Sequence, residues 1–206
     1  MKRFLLLFLA TVVTAWSASA QLSVSQLRTE HLTDPVGIGE RRPLLSWEVS
    51  DASRRGVTQS AYEIRVKSGG RTVWRTGKVA SAESAGVFYD GTPLTSDTRY
   101  TWQVRVWDDR GKASAWSRPA FWRTGLFDVG EWQARWIEPA VSDDLAAMFR
   151  RTFRVTKPVA EATVYVTAHG IYEASVNGHR VSDDLLTPGW TAYKKRLQYQ
   201  AYDITP

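Results

Sequence analysis

Between Leu22 and Thr124, apolar and polar residues alternate in short runs, each closed by a turn signal. An alternation of period two places every second side chain on one face of an extended strand, so each run reads as half-buried β structure. The candidate strands are 44–49, 61–67, 72–76, 85–89, 99–107 and 117–123, with another inside 22–31. Tyr62, Ile64 and Val66 form one clear set, and Tyr100, Trp102, Val104 and Val106 form another; both are expected to face a core. Gly69-Gly70, Asp90-Gly91-Thr92-Pro93 and Asp108-Asp109-Arg110-Gly111 supply the turn chemistry between runs. No segment of helical period and useful length interrupts this series. Turns at about ten-residue spacing are those of a β-sandwich.

Two details narrow the sandwich. Leu94-Thr95-Ser96-Asp97-Thr98-Arg99-Tyr100 leads into the most regular strand, where a tyrosine corner places a hydroxyl against the preceding backbone. Gly111, Ser114, Trp116 and Ser117 then turn the chain into a last strand. In this order and spacing the two patterns resemble a fibronectin type III domain.

From Gly125 the pattern changes. An aromatic-rich stretch with Trp132 and Trp136 runs to Pro139, and Asp143-Asp144 opens a polar segment that reads as a loop or helix start. A second β region is expected over 148–155, 162–167, 171–176, 185–190 and 197–202. Asn177-Gly178 between apolar runs is a strong hairpin signal, because both residues tolerate positive φ in a type I′ turn. From Ile137 onward only about half of a typical domain is present, so this second sandwich is expected to be cut short. The fold expected is therefore all-β: a fibronectin III-like sandwich over 21–125, a linker over 126–147, and a second, truncated sandwich over 148–206.

The first twenty residues stand apart. Lys2 and Arg3 precede an apolar run from Phe4 to Ala15, and Ala18-Ser19-Ala20 offers a small-residue cleavage site, the pattern of a secretory signal. The apolar run is too short to cross the roughly 30 Å of bilayer hydrocarbon as a helix. Export to the periplasm or beyond is expected, with no membrane attachment after cleavage.

Charge and cysteine usage then exclude several function classes. The chain has 27 Lys and Arg against 21 Asp and Glu, and two of the 27 lie in the leader. The remaining basic residues are scattered pairs and one triplet, Lys194-Lys195-Arg196, rather than the stripe that nucleic-acid binding would want. There is no cysteine, so thiol catalysis, thiolate metal sites and disulfides are absent. Ten Trp, eight Tyr and seven Phe offer large buried area in place of disulfides.

Candidate chemistry is sparse. No nucleophile elbow, phosphate loop or metal-ligand spacing occurs. His169 and His179 flank one hairpin, but two imidazoles without a third ligand rarely hold a metal. Glycoside hydrolysis runs on two carboxylates, yet Asp108-Asp109 reads as a turn former and Asp183-Asp184 cannot share one face of a strand. Trp190, in Pro188-Gly189-Trp190, could stack on a sugar ring, with Tyr172 beside it; burial in the core is the plainer reading of both.

The order of motifs resembles bacterial α-L-rhamnosidases. The likeness rests on Pro35-Val36-Gly37-Ile38, Arg42-Pro43-Leu44-Leu45-Ser46-Trp47, Gln59-Ser60-Ala61-Tyr62-Glu63-Ile64 and Arg99 to Asp108. It continues through Trp132-Gln133-Ala134-Arg135-Trp136-Ile137, Asn177-Gly178-His179-Arg180-Val181, Pro188-Gly189-Trp190-Thr191 and Tyr202-Asp203-Ile204-Thr205. The resemblance implies an inverting glycoside hydrolase that removes terminal α-L-rhamnose from glycosides or polysaccharides and needs no cofactor. It also implies that the catalytic carboxylates sit on a downstream (α/α) toroid, so that no residue here inherits a catalytic role. The expected partners are that missing catalytic domain and, through it, rhamnose-containing glycosides. The alternatives are a stand-alone carbohydrate-binding or adhesion module built on Trp190 and Tyr172, and a purely structural spacer.

Overall fold

The computed structural model describes residues 22–140 and 146–206. The expected leader over 1–20 and the pair Asp143-Asp144 lie outside the described residues. What is described is nearly all β, in two units.

The first unit is a sandwich of two sheets. Three strands, β1 (Ser23–Thr29), β3 (Leu44–Ser50) and β6 (Val87–Phe88), make one sheet in the order β1-β3-β6. The other sheet has the order β2-β8-β7-β4-β5, from β2 (Val36–Ile38), β8 (Ala120–Thr124), β7 (Arg99–Asp108), β4 (Gln59–Ser68) and β5 (Arg71–Arg75). All pairings are antiparallel except β2 on β8, where Val36 meets Arg123 and Ile38 meets Thr124. That short parallel strand was not expected; three residues around a glycine at positive φ carry no readable alternation.

The expected core sets face inward. On β7, Tyr100, Trp102, Val104 and Val106 are buried, and on β4 so are Tyr62, Ile64 and Val66. Trp122 from β8 and Tyr89 complete an aromatic centre: Tyr100 stacks on Trp122 at 5.3 Å, and Tyr89 meets the same indole edge-on at 5.9 Å. Offset and edge-on geometries suit ring quadrupoles, which adds to the area the rings bury. The tyrosine corner forms as well, with Thr95 N–H donating to the Tyr100 hydroxyl at 3.0 Å.

The last strand begins later than its pattern suggests. Ser114 and Ser117 take ladder positions beside β7 without continuing a strand, their hydroxyl oxygens accepting from Val106 and Val104 N–H at 3.0 and 3.1 Å. Side-chain oxygens that satisfy backbone donors compete with regular pairing, which delays β8 to Ala120.

The outer face of the five-stranded sheet holds a buried carboxylate. Glu63 on β4 is opposite Arg105 on β7. It bonds Arg75 Nε at 2.7 Å and Arg105 Nε at 2.8 Å. Burial alone would raise its pKa, but the hydrogen bonds and charges of the two guanidinium groups prevail and hold it below the usual glutamate range.

The second unit is thinner. β9 (Thr163–Val166) pairs antiparallel with β12 (Gln200–Asp203), and β10 (Ser175–Val176) pairs with β11 (His179–Arg180). Asn177 and Gly178 join the latter pair at φ 51° and 83°, the positive-φ turn their sequence demands. Two expected strands are absent. Residues 148–155 have no ladder partner among the described residues and leave Met148 and Phe153 exposed. Residues 185–190 turn instead of extending, since Leu186 has φ 58° and Pro188 supplies no donor. The stretch 126–140 is also less loose than a linker: Val129–Glu131 is one turn of 3-10 helix, and the Glu131 carboxylate accepts from Ser96 Oγ, Phe127 N–H and Asp128 N–H.

Candidate functional site

The two residues singled out as a sugar platform are placed differently. Trp190 is 96% exposed, on a turn fixed by Gly189 at φ 95°. Tyr172 is half-buried, its hydroxyl donating to Gln200 Oε1 at 3.0 Å and lying 3.3 Å from the Tyr202 hydroxyl. Its backbone closes on the Trp190 loop through Tyr172 N–H to Thr187 O at 3.0 Å and Thr187 Oγ1 to Tyr172 O at 3.1 Å. Tyr172 therefore holds the loop that carries Trp190, and the indole is the member left open to solvent.

A second aromatic group sits on the same unit. His169 stacks on Tyr193 with ring centres 4.9 Å apart and planes inclined by 6°, and Trp136 lies 4.5 Å from His169. His169 is thus engaged by two rings, and among the described residues no group of His, Asp and Glu has metal-binding geometry.

Between the units lies a cavity of about 380 Å³, bordered by Val36 and Gly37 on one side and by Val181, Asp184, Tyr199 and Tyr202 on the other. Burial, then the neighbouring Tyr172 hydroxyl and the Asp184 charge, hold the Tyr202 hydroxyl above its ordinary pKa. Among the described residues, the carboxylates whose ionisation the fold perturbs all move the same way. Hydrogen bonds from Ser53 lower Asp51, one from Ser96 lowers Glu131, and those of Thr205 lower Asp203. At Asp97, burial works upward but is outweighed by Arg123 and the Tyr165 hydroxyl. Glu63 is lowered by its two arginines despite burial. A glycosidic general acid needs the opposite, a carboxyl held protonated toward neutral pH. Asp108 is a turn former: its carboxylate accepts from Arg110 and Lys112 N–H at 3.0 and 2.7 Å.

The residues that join the units carry no signal along the sequence. Arg123 is bonded to Asp97 at 2.8 Å and to Glu161 at 2.7 Å, and the Tyr165 hydroxyl donates to Asp97 at 2.6 Å. Tyr199 reaches Leu126 through both of its backbone polar groups. Only their pairing across distant segments marks them, and that is invisible along one chain.

Comparison with known proteins gives this architecture a family. Residues 24–128 match the model described as Rha78A-like, N-terminal immunoglobulin domain, and residues 157–206 match that of the alpha-L-rhamnosidase N-terminal domain. An alpha-L-rhamnosidase of Formosa agariphila is 32% identical over 194 residues, which cover 86% of this chain and 21% of that protein. The chain thus spans about a fifth of the length of such relatives. Among solved structures, the alpha-L-rhamnosidase from Dictyoglumus thermophilum superposes with a TM-score of 0.81 at 34% identity, over 89% of this chain and 23% of that one. The Aspergillus terreus enzyme gives 0.73 at 32% identity, over 90% and 22%. The chain belongs to the α-L-rhamnosidase family and corresponds to its N-terminal, non-catalytic domains.

Proposed function

We propose that these residues serve an exported glycoside hydrolase that releases terminal α-L-rhamnose with inversion, and that they support that reaction without performing it. The observation that carries this reading is the match of residues 24–128 and 157–206 to N-terminal domains of α-L-rhamnosidases, of whose length the chain spans about a fifth. In keeping with it, the carboxylates perturbed by the fold among the described residues are drawn toward ionisation by arginines, hydroxyls and backbone donors, the opposite of what a glycosidic general acid needs. Substrate contact and bond cleavage then fall to a catalytic domain elsewhere in the parent protein, whose substrates are rhamnose-containing glycosides. The test is incubation of the purified chain with an aryl α-L-rhamnoside; no aglycone release is expected, and steady turnover would overturn the proposal.

Export is part of the same proposal, supported by the leader-like pattern over 1–20. The N-terminal sequence of the protein recovered from its host should begin at Gln21, and a retained Met1 would contradict export by cleavage.

A second reading, a carbohydrate-binding module, has one observation in its favour: the almost complete exposure of Trp190. An unsupported indole in water is a ready surface for the apolar face of a sugar. Rhamnosides should then quench tryptophan fluorescence in the native chain and leave Trp190→Ala unaffected. Equal signals from the two proteins would remove this reading.

A further inference from the structure

The β9–β12 ribbon is a poor candidate for independent stability. It has two strands of four residues each, and its inward side chains are only half-buried. An isolated two-stranded ribbon is marginal in water, because it fixes backbone entropy without covering a face. Yet both of its strands are tied to the first unit. From the β9 side, the Tyr165 hydroxyl and Glu161 meet Asp97 and Arg123, and the Arg123 side chain is 14% exposed. From the β12 side, the Tyr199 hydroxyl accepts from Leu126 N–H at 2.8 Å and donates to Leu126 O at 3.1 Å. The Tyr199 ring packs against Trp132 at 5.6 Å.

The surface that receives the ribbon is shaped for it. Gly125 lies so close under the Tyr199 hydroxyl that a methyl group there would collide with it. Gly37, on β2, faces Ala201, and a Cβ at that position would sit 2.9 Å from the Ala201 side chain. The small parallel strand β2, which brings Gly37 to the sheet edge, thus has a use that its own brief pairing does not explain. Two close backbone approaches, two tyrosine hydroxyls and one shared arginine converge on the same edge.

We propose that this edge of the first sandwich, from Val36–Ile38 to Arg123–Leu126 with Asp97, is an intramolecular template on which the β9–β12 ribbon is ordered. The first unit then folds without the second, and the second depends on the first. The surface fits a β-ribbon that presents Tyr165 from one strand side, with Ala201 opposite it, and Tyr199 from the other, the two rings in edge contact at 6.0 Å.

Amide hydrogen exchange on the full chain tests this directly, since it reads each unit separately. Tyr199→Phe keeps the ring and removes both hydrogen bonds, and Tyr165→Phe removes the bond to Asp97. Each change should speed exchange at Val164, Val166 and Tyr202 by about tenfold, and the double variant by more, while Ile64, Val104 and Val106 keep their native rates. Unchanged ribbon exchange in the double variant would show that the ribbon stands alone and would overturn the proposal. Equal acceleration in both units would also overturn it, because it would make them one mutually dependent body.

Discussion

Glu63→Gln keeps the size and shape of the side chain and removes one charge from a site that is 3% exposed. The native carboxylate takes Arg75 Nε on one oxygen at 2.7 Å and Arg105 on the other, with Nη2 at 2.6 Å. Hydrogen bonds to charged groups contribute about 1.5–3 kcal/mol each, and breaking a buried pair costs about 3–5 kcal/mol. Two features reduce the figure here. Arg75 is 61% exposed, so water screens its share, and glutamine still accepts one bond. A loss of about 2 kcal/mol at neutral pH follows, which lowers the urea midpoint by about 1 M at the usual slope for a small domain. The pH dependence is the sharper test. Because the folded pKa lies below the unfolded value of about 4.3, ionised Glu63 stabilises the fold above that value. That contribution fades as pH falls from about 4.3 through the folded pKa, because the protonated acid resembles glutamine. Urea titrations followed by tryptophan fluorescence, from about pH 7 to about pH 3, should show the two proteins converging in acid. A gap of constant size over that range, or no gap at neutral pH, would refute the electrostatic account of this site.

Tyr100→Phe leaves the stacked ring in place but strips the Thr95 N–H of its acceptor, and should cost about 1–2 kcal/mol in urea unfolding with an unchanged slope. Gly178→Val forces a β-branched residue to φ 83°, and should abolish exchange protection at Val176 and His179 without touching the first sandwich. Trp190→Ala should change unfolding free energy by less than about 0.5 kcal/mol, because the indole is almost wholly in water.

What could be read along the chain was what repeats locally. The alternation of Tyr100, Trp102, Val104 and Val106 predicts a buried strand face because every second residue of one extended segment must share it. Asn177-Gly178 and the Tyr100 corner were likewise legible, since each is a short-range geometric demand. Glu63 was not, because its burial comes from arginines supplied by β5 and β7. The same holds for β2, whose role at Gly37 is set by Ala201 far along the chain. Residues 148–155 mislead in the other direction: their apolar pattern is that of a strand, but a ladder also requires a partner, and no described segment provides one. Trp190 and Tyr172, adjacent in a sequence-based picture of a sugar platform, separate into an exposed indole and a tethered phenol.

We propose that these domains serve a rhamnosidase and perform no hydrolysis themselves. The most direct measurement is rhamnose release from an aryl α-L-rhamnoside by the highly purified chain, run beside a full-length family member as the positive control. Release by the control is expected, and none by the chain above the uncatalysed rate. Turnover by the chain that persists through purification and falls on Asp184→Asn or Glu63→Gln would contradict it.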